Sequence, residues 1–234
     1  MPVASLFAVP PAAVTRHTLW AACVLWALLG YPMARWLPVT MGWENGLLEN
    51  LQLAQLLAGA GLALWYARSG HAALGYVAVA VWLVLAAREL SWGATLWAAP
   101  LGMGWSGPIY SSSVLWYKPF VYPAIGAVLV VAGVALVRSK ALSMLYRLAR
   151  STPFVWVELV LAVAAAMAAS YFEGQLPREA ADPGLGMASL VLEEWLECAA
   201  YGALLVGQWQ LFTLARLHAR PQDHGNEACG SRPL

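Results

Sequence analysis

Residues 190–201, LVLEEWLECAAY, decide how the chain must fold, because three carboxylates, Glu193, Glu194 and Glu197, fall inside a run otherwise apolar enough to cross a membrane. With about 100° between successive helical residues and Glu193 at zero, Glu197 stands at about 40°, Gln208 at about 60°, Tyr201 at about 80° and Glu194 at about 100°. One polar face results. An acidic residue at the centre of a membrane helix costs roughly 2.5 to 3.5 kcal/mol while a Leu returns about 0.3 to 0.6, so a lone span carrying three would not be stable. The face needs partners on other helices. The fold class that follows is all-α, a polytopic membrane protein built as a bundle of transmembrane helices.

Composition agrees. The chain is 61% hydrophobic and 11% charged, with mean hydropathy +0.64, far from a soluble domain. A net charge of +1 and a pI near 7.8 offer no dense basic patch, so no nucleic-acid partner is expected. The main partner is the lipid bilayer. Thirteen Trp and nine Tyr suit interfacial belts, although many of the Trp fall within spans and are expected to pack there. Cys23 and Cys198 sit in apolar runs and Cys229 in the tail, which gives neither a disulfide framework nor a CxxC metal site. The first residues, MPVASLFAVPPAAVTRHTLW, lack a basic leader region and carry Pro10 and Pro11, so no cleavable signal peptide is expected.

Taking roughly 20 apolar residues per crossing, six spans are expected. They cover 18–36, 45–66, 72 to Pro100, 120–137, 153–172 and 187–214, within one domain from 18 to 214. An N-terminal tail (1–17) and a C-terminal tail (215–234) flank it. In the third span, Arg88 and Glu89 are expected deep in the membrane, with Ser91, Trp92 and Thr95 on the same face. The segment 101–118, rich in Gly, Ser and aromatics, is too polar to cross and reads as a loop or re-entrant lid. Gly126 and Gly133 in the fourth span, and AVAAAMAAS in the fifth, are expected at close helix contacts. Between those spans, residues 138–152 alternate Arg138, Lys140, Arg147 and Arg150 with leucines, the pattern of a short helix on a membrane surface.

Six spans place both termini on one side. Arg16, Arg68, Arg138, Lys140, Arg147, Arg150, Arg216 and Arg220 fall on that side and Arg35, Lys118 and Arg178 on the other, and eight against three puts the termini in the cytoplasm. Glu49, Glu89, Glu193, Glu194 and Glu197 then converge on the outer half of the bilayer, with Glu44 and Glu173 at its rim and Glu158 toward the inner side. On the second helix, Asn45, Glu49, Gln52 and Gln55 fall within about 120° and extend the polar stripe inward. Arg88 is the counter-charge. One arginine cannot neutralise five carboxylates, so the remainder must share protons, be hydrated or bind a cation.

Other chemistry is weakly represented. His17, His71, His218 and His224 all fall on the cytoplasmic side, so an ExxH di-iron site is absent and a metal would be held by oxygen ligands alone, which favours a hard divalent cation. Ser111, Ser112 and Ser113 lie in the outer loop without a histidine base and read as loop polarity. No phosphate or dinucleotide fingerprint occurs, and Gly59 and Gly61 read as packing positions.

The acidic pair Glu44 and Glu49 heading one span, Arg88 and Glu89 followed by Ser91, Trp92 and Gly93, and the Glu193, Glu194, Glu197 motif of the last span together resemble an uncharacterised family of bacterial inner-membrane proteins. That resemblance implies an inner-membrane location and no particular activity. Asn45 stands where such families often show Asp. Three functions fit the residues: binding or conduction of a proton or divalent ion at the glutamates, an intramembrane enzyme using carboxylate acid and base chemistry on a lipid, or a membrane subunit whose buried charges register a second copy or another membrane protein. A continuous polar route, a lipid-sized lateral cleft and a bare apolar helix face would respectively mark them.

Overall fold

The computed structural model describes residues 13–104, 107–150, 155–173 and 186–219. They are mostly helical. The long helices are α1 (Ala13–Trp36), α2 (Leu47–Arg68) and α3 (Ala72–Glu89). After a four-residue helix, α4 (Ala94–Trp97), and a hairpin of β1 (Gly102–Gly104) with β2 (Gly107–Ile109) come α5 (Lys118–Arg138) and α6 (Ala141–Arg150), then α7 (Trp156–Glu173) and α8 (Ala188–Ala219). Five segments, built on α1, α2, α3, α5 and α7, are long and apolar enough to cross a membrane. The glutamates and glutamines of α8 keep it from meeting that measure by itself.

Helix α8 is nevertheless the centre of the bundle. It packs along α7, α1 and α2, while α3 packs on α2 and α5 on α3. Its apolar residues Val191, Leu196, Ala199, Ala203 and Ala215 are buried. The expectation for α7 is met, since Ala162, Ala165 and Ala169 are buried and small side chains let two helices approach closely. Trp26 on α1 and Trp195 on α8 stack at 4.3 Å, and each indole N–H donates to the other residue's carbonyl, so interior tryptophans do pack within the bundle.

Other expectations need correction. The third helix does not continue to Pro100: it ends at Glu89, and Ser91, Trp92 and Gly93 follow with φ of 47°, 61° and 97°. Three successive left-handed residues cannot extend a right-handed helix. Arg88 and Glu89 therefore lie in its last turn rather than in mid-span. Asn45 is likewise outside α2, with φ 62°, so it does not belong to the stripe of Glu49, Gln52 and Gln55. A side chain added at Gly126, Gly133 or Gly61 would meet nothing within 4 Å, so these are not contact positions. Gly59 is one, for a Cβ there would stand 2.5 Å from the Trp82 ring. Within the segment 138–152, residues Ala141–Arg150 form α6, with Leu148 buried against the core and Arg147 and Arg150 exposed. The expected N-terminal tail overlaps α1 from Ala13, and α8 runs five residues beyond the expected end of its span; residues 1–12, 105–106, 151–154, 174–185 and 220–234, with parts of both tails and of the loops before α5 and after α7, lie outside the described residues.

Candidate functional site

The acidic cavity is assembled where α2 and α8 begin and α3 and α7 end. It has a volume of about 340 Å³ and is lined by Glu44, Glu49, Glu89, Glu173, Glu193, Glu194 and Glu197, together with Arg88 and Ser91. Every glutamate read from the sequence as a candidate is there. Glu44 and Glu173, expected only at the rim, complete the set; acids flanking a span's ends were the signal for them. Glu173 and Arg88 are exposed, Glu193, Glu194 and Glu197 are half-buried, and Glu49 is buried.

Hydrogen bonds divide these carboxylates into two groups. Glu44 accepts from the Ser91 hydroxyl at 3.2 Å and from the Tyr110 backbone N–H at 2.9 Å, tying the head of α2 to the turn after α3 and to the residues after the hairpin. Glu49 accepts from the Asn45 backbone N–H, closing the first turn of α2 in the manner of a capping box. Glu194 accepts from Gln52 Nε2 at 2.7 Å, and the same amide nitrogen donates to the Glu194 carbonyl at 3.0 Å. Glu89 accepts from the Tyr201 hydroxyl at 2.6 Å. These four carboxylates have structural work. Glu173 at the end of α7, and Glu193 and Glu197, one helical turn apart on α8, accept no hydrogen bond from any described residue.

Arg88 does not pair as expected. Among the described residues no carboxylate lies within 4.0 Å of it, and the ion pair that is present, Arg16 to Glu158 at 3.5 Å, joins α1 to α7 elsewhere in the bundle. Breaking α3 at Glu89 places the guanidinium on the rim in an exposed position, where it faces the glutamates across the cavity. Among the described residues, no group of three His, Cys, Asp or Glu side chains is placed to hold a metal ion directly. The carboxylates are gathered around one space without converging on one point.

Below the cavity the polar residues thin out. Gln208 donates to the Gly59 carbonyl at 2.9 Å and accepts from the Trp82 indole, joining α8 to α2 and α3, as its place on the polar face of α8 predicted. Around it Leu56, Ala60, Ala63 and Tyr201 belong to one buried cluster with Leu204 and Leu205. The polar stripe therefore runs into apolar packing.

The serines at 111–113 stay in the loop, with Ser111 and Ser113 hydroxyls 2.7 Å apart. Cys23 and Cys198 are free, Cys198 buried and donating weakly to the Leu48 carbonyl at 3.6 Å. No protein-family model, curated protein or solved structure matches the chain. The likeness of its acidic motifs to an inner-membrane family thus rests on those motifs alone.

Proposed function

We propose that the chain is a bacterial inner-membrane protein of six spans that takes up cations reversibly from the outer face, in exchange with protons, at Glu193 and Glu197. In this reading α8 is the sixth crossing: 32 residues make about 48 Å of helix, ample for a bilayer, and α1, α2 and α7 cover the polar residues that would exclude it from lipid. The domain from 18 to 214 is a single bundle, and the positive-inside count puts both termini in the cytoplasm.

The observation that carries the functional reading is that Glu193 and Glu197 are half-buried beside Glu194, Glu89 and Glu49 with neither a donor nor a contact ion pair among the described residues. Like charges so placed, with one exposed arginine nearby, favour any mobile positive charge that enters. The cavity has room for roughly ten waters at about 30 Å³ each, so a cation can be held with part of its hydration shell, as hard divalent ions prefer. Binding is favoured over passage because Gln208 is followed by the apolar cluster. A lipid-directed acid and base pair is less well supported: the apolar groove between α3 and α5 is lined by no carboxylate.

Thermal melting in detergent, with Ca²⁺, Mg²⁺, Mn²⁺ or Zn²⁺ added singly between about pH 5 and pH 8, tests this reading by ligand linkage. At least one cation should stabilise the wild type by about 2.7 kcal/mol at a hundredfold excess over its Kd, with a smaller gain at the acid end where protons compete. Glu197→Gln should melt no lower than wild type without cations and should not respond to them. A wild type indifferent to every cation would end the proposal, and loss of stability in Glu197→Gln would make that residue a paired scaffold element.

A further inference from the structure

The other end of the bundle carries a cavity of opposite character, independent of the acidic site. Its volume is about 680 Å³, and it lies between the α2–α3 turn, the start of α6 and the late part of α8. His71, Lys140 and Arg147 line it over Leu74, Met144 and Leu148, and no carboxylate does. Lys140 and Arg147 are both exposed, and neither has an acidic partner within 4.0 Å among the described residues. Among the described residues nothing neutralises the positive charge that this cavity presents.

Two residues of its wall, Ala72 and Ala73, also line a second cavity of about 470 Å³ between α3 and α5. There the lining is apolar apart from the Tyr76 hydroxyl. Along α3 it extends from Ala72 to Ala80, about 12 Å at 1.5 Å per residue, and on α5 it follows Ala127, Val131 and Ala135. A cationic pocket at one end of these helices thus adjoins an apolar groove that runs along part of α3 and α5. That is the division of chemistry within a single phospholipid.

We propose that the two cavities form one site for an anionic phospholipid, its phosphate held by Lys140 and Arg147 and an acyl chain laid between α3 and α5. Charge complementarity selects the headgroup, since a zwitterionic lipid would bring its own cation into a pocket that already holds two. Arg147 can grip a phosphate with two parallel N–H donors and Lys140 adds a point charge. A free phosphate ion would satisfy the pocket and leave the groove unused. Lys140 provides a clean test of charge, because its backbone is left-handed at φ 57°, a conformation that glycine adopts without strain. Lys140→Gly removes the cation while easing the turn.

The protein is reconstituted into phosphatidylcholine vesicles containing a minor fraction of phosphatidylglycerol and re-extracted in mild detergent, and the retained lipid is measured by mass spectrometry. Wild type should retain phosphatidylglycerol well above its share in the vesicle, and Lys140→Gly and Arg147→Gln should each lower that enrichment about fivefold. Ala80→Phe, which fills the groove, should lower it as well, while Arg150→Gln, outside the pocket, should leave it unchanged. Melting curves for each variant separate lost binding from lost fold, and Lys140→Gly is expected to melt no lower than wild type. Retention at the vesicle's own ratio, or enrichment unaffected by Lys140→Gly and Arg147→Gln, would overturn the proposal. Enrichment that survives Ala80→Phe and is abolished by inorganic phosphate would overturn it too, by assigning the pocket to a free anion.

Discussion

Arg16→Gln should destabilise the protein by about 3 to 5 kcal/mol, the usual result of leaving a buried charge without its partner. The Glu158 side chain is 3% exposed, Arg16 Nε lies 3.5 Å from its Oε1, and neither carboxylate oxygen accepts a hydrogen bond from a described residue. Gly207 allows α8 to pass the Glu158 Cβ at a distance that a larger residue would close, so the carboxylate is shut between α1, α7 and α8. Adding Glu158→Gln to Arg16→Gln should restore most of the loss, because a neutral amide needs no counter-charge. The check is chemical or thermal unfolding in detergent beside Arg150→Gln, which removes an exposed arginine and should change little. Equal melting of Arg16→Gln and Arg150→Gln would show that the pair does not hold α1 to α7.

A comparable loss, about 3 kcal/mol or more, is expected from Gly75→Leu. A Cβ at this position would lie 2.5 Å from the Ala67 Cβ and 2.6 Å from its Cα and N, so the obstacle is the backbone of α2 and not a side chain that can swing away. Relief requires α2 and α3 to separate, which places the cost at or above the upper end of ordinary overpacking. Gly126→Leu is the natural control, since a Cβ there meets nothing within 4 Å. Similar melting temperatures for the two variants would contradict the packing of α2 on α3.

The contrast between those glycines shows where sequence reasoning stops in a membrane protein. Hydropathy located four of the five segments long and apolar enough to cross a membrane closely and overran the end of the third, because the bilayer demands an apolar run of a given length but does not mark where a turn breaks it. It does not distinguish an apolar face that meets protein from one that meets lipid, so Gly126 and Gly133 were expected at contacts they do not make, while Gly75, which is at one, was not singled out. The carboxylate cluster was legible because helical periodicity puts Glu193, Glu194, Glu197, Tyr201 and Gln208 on one face, and the residues they meet, Gln52, Glu89 and Gly59, come from α2 and α3. The end of α3 was not. Residues 90–98, LSWGATLWA, are apolar enough to continue a span, and Gly93 is their sole sequence hint of a break. That turn places Arg88 at the rim, where among the described residues it makes no contact ion pair with the cluster. Glu49 also has a local role that the sequence reading did not single out, since it stands three residues after Gly46 and accepts from the backbone N–H of Asn45 while lining the cavity.

What distinguishes a cation site from a buried polar scaffold is exchange, because a cation entering among crowded carboxylates displaces protons while a paired scaffold has none to give. The direct measurement is proton release in a weakly buffered detergent solution on addition of whichever divalent cation stabilises the wild type most. The account predicts saturable release of about one proton per chain from the wild type, loss of that release in the double variant Glu193→Gln with Glu197→Gln, and its retention in Glu158→Gln. Release from the wild type no greater than from the folded double variant would contradict it.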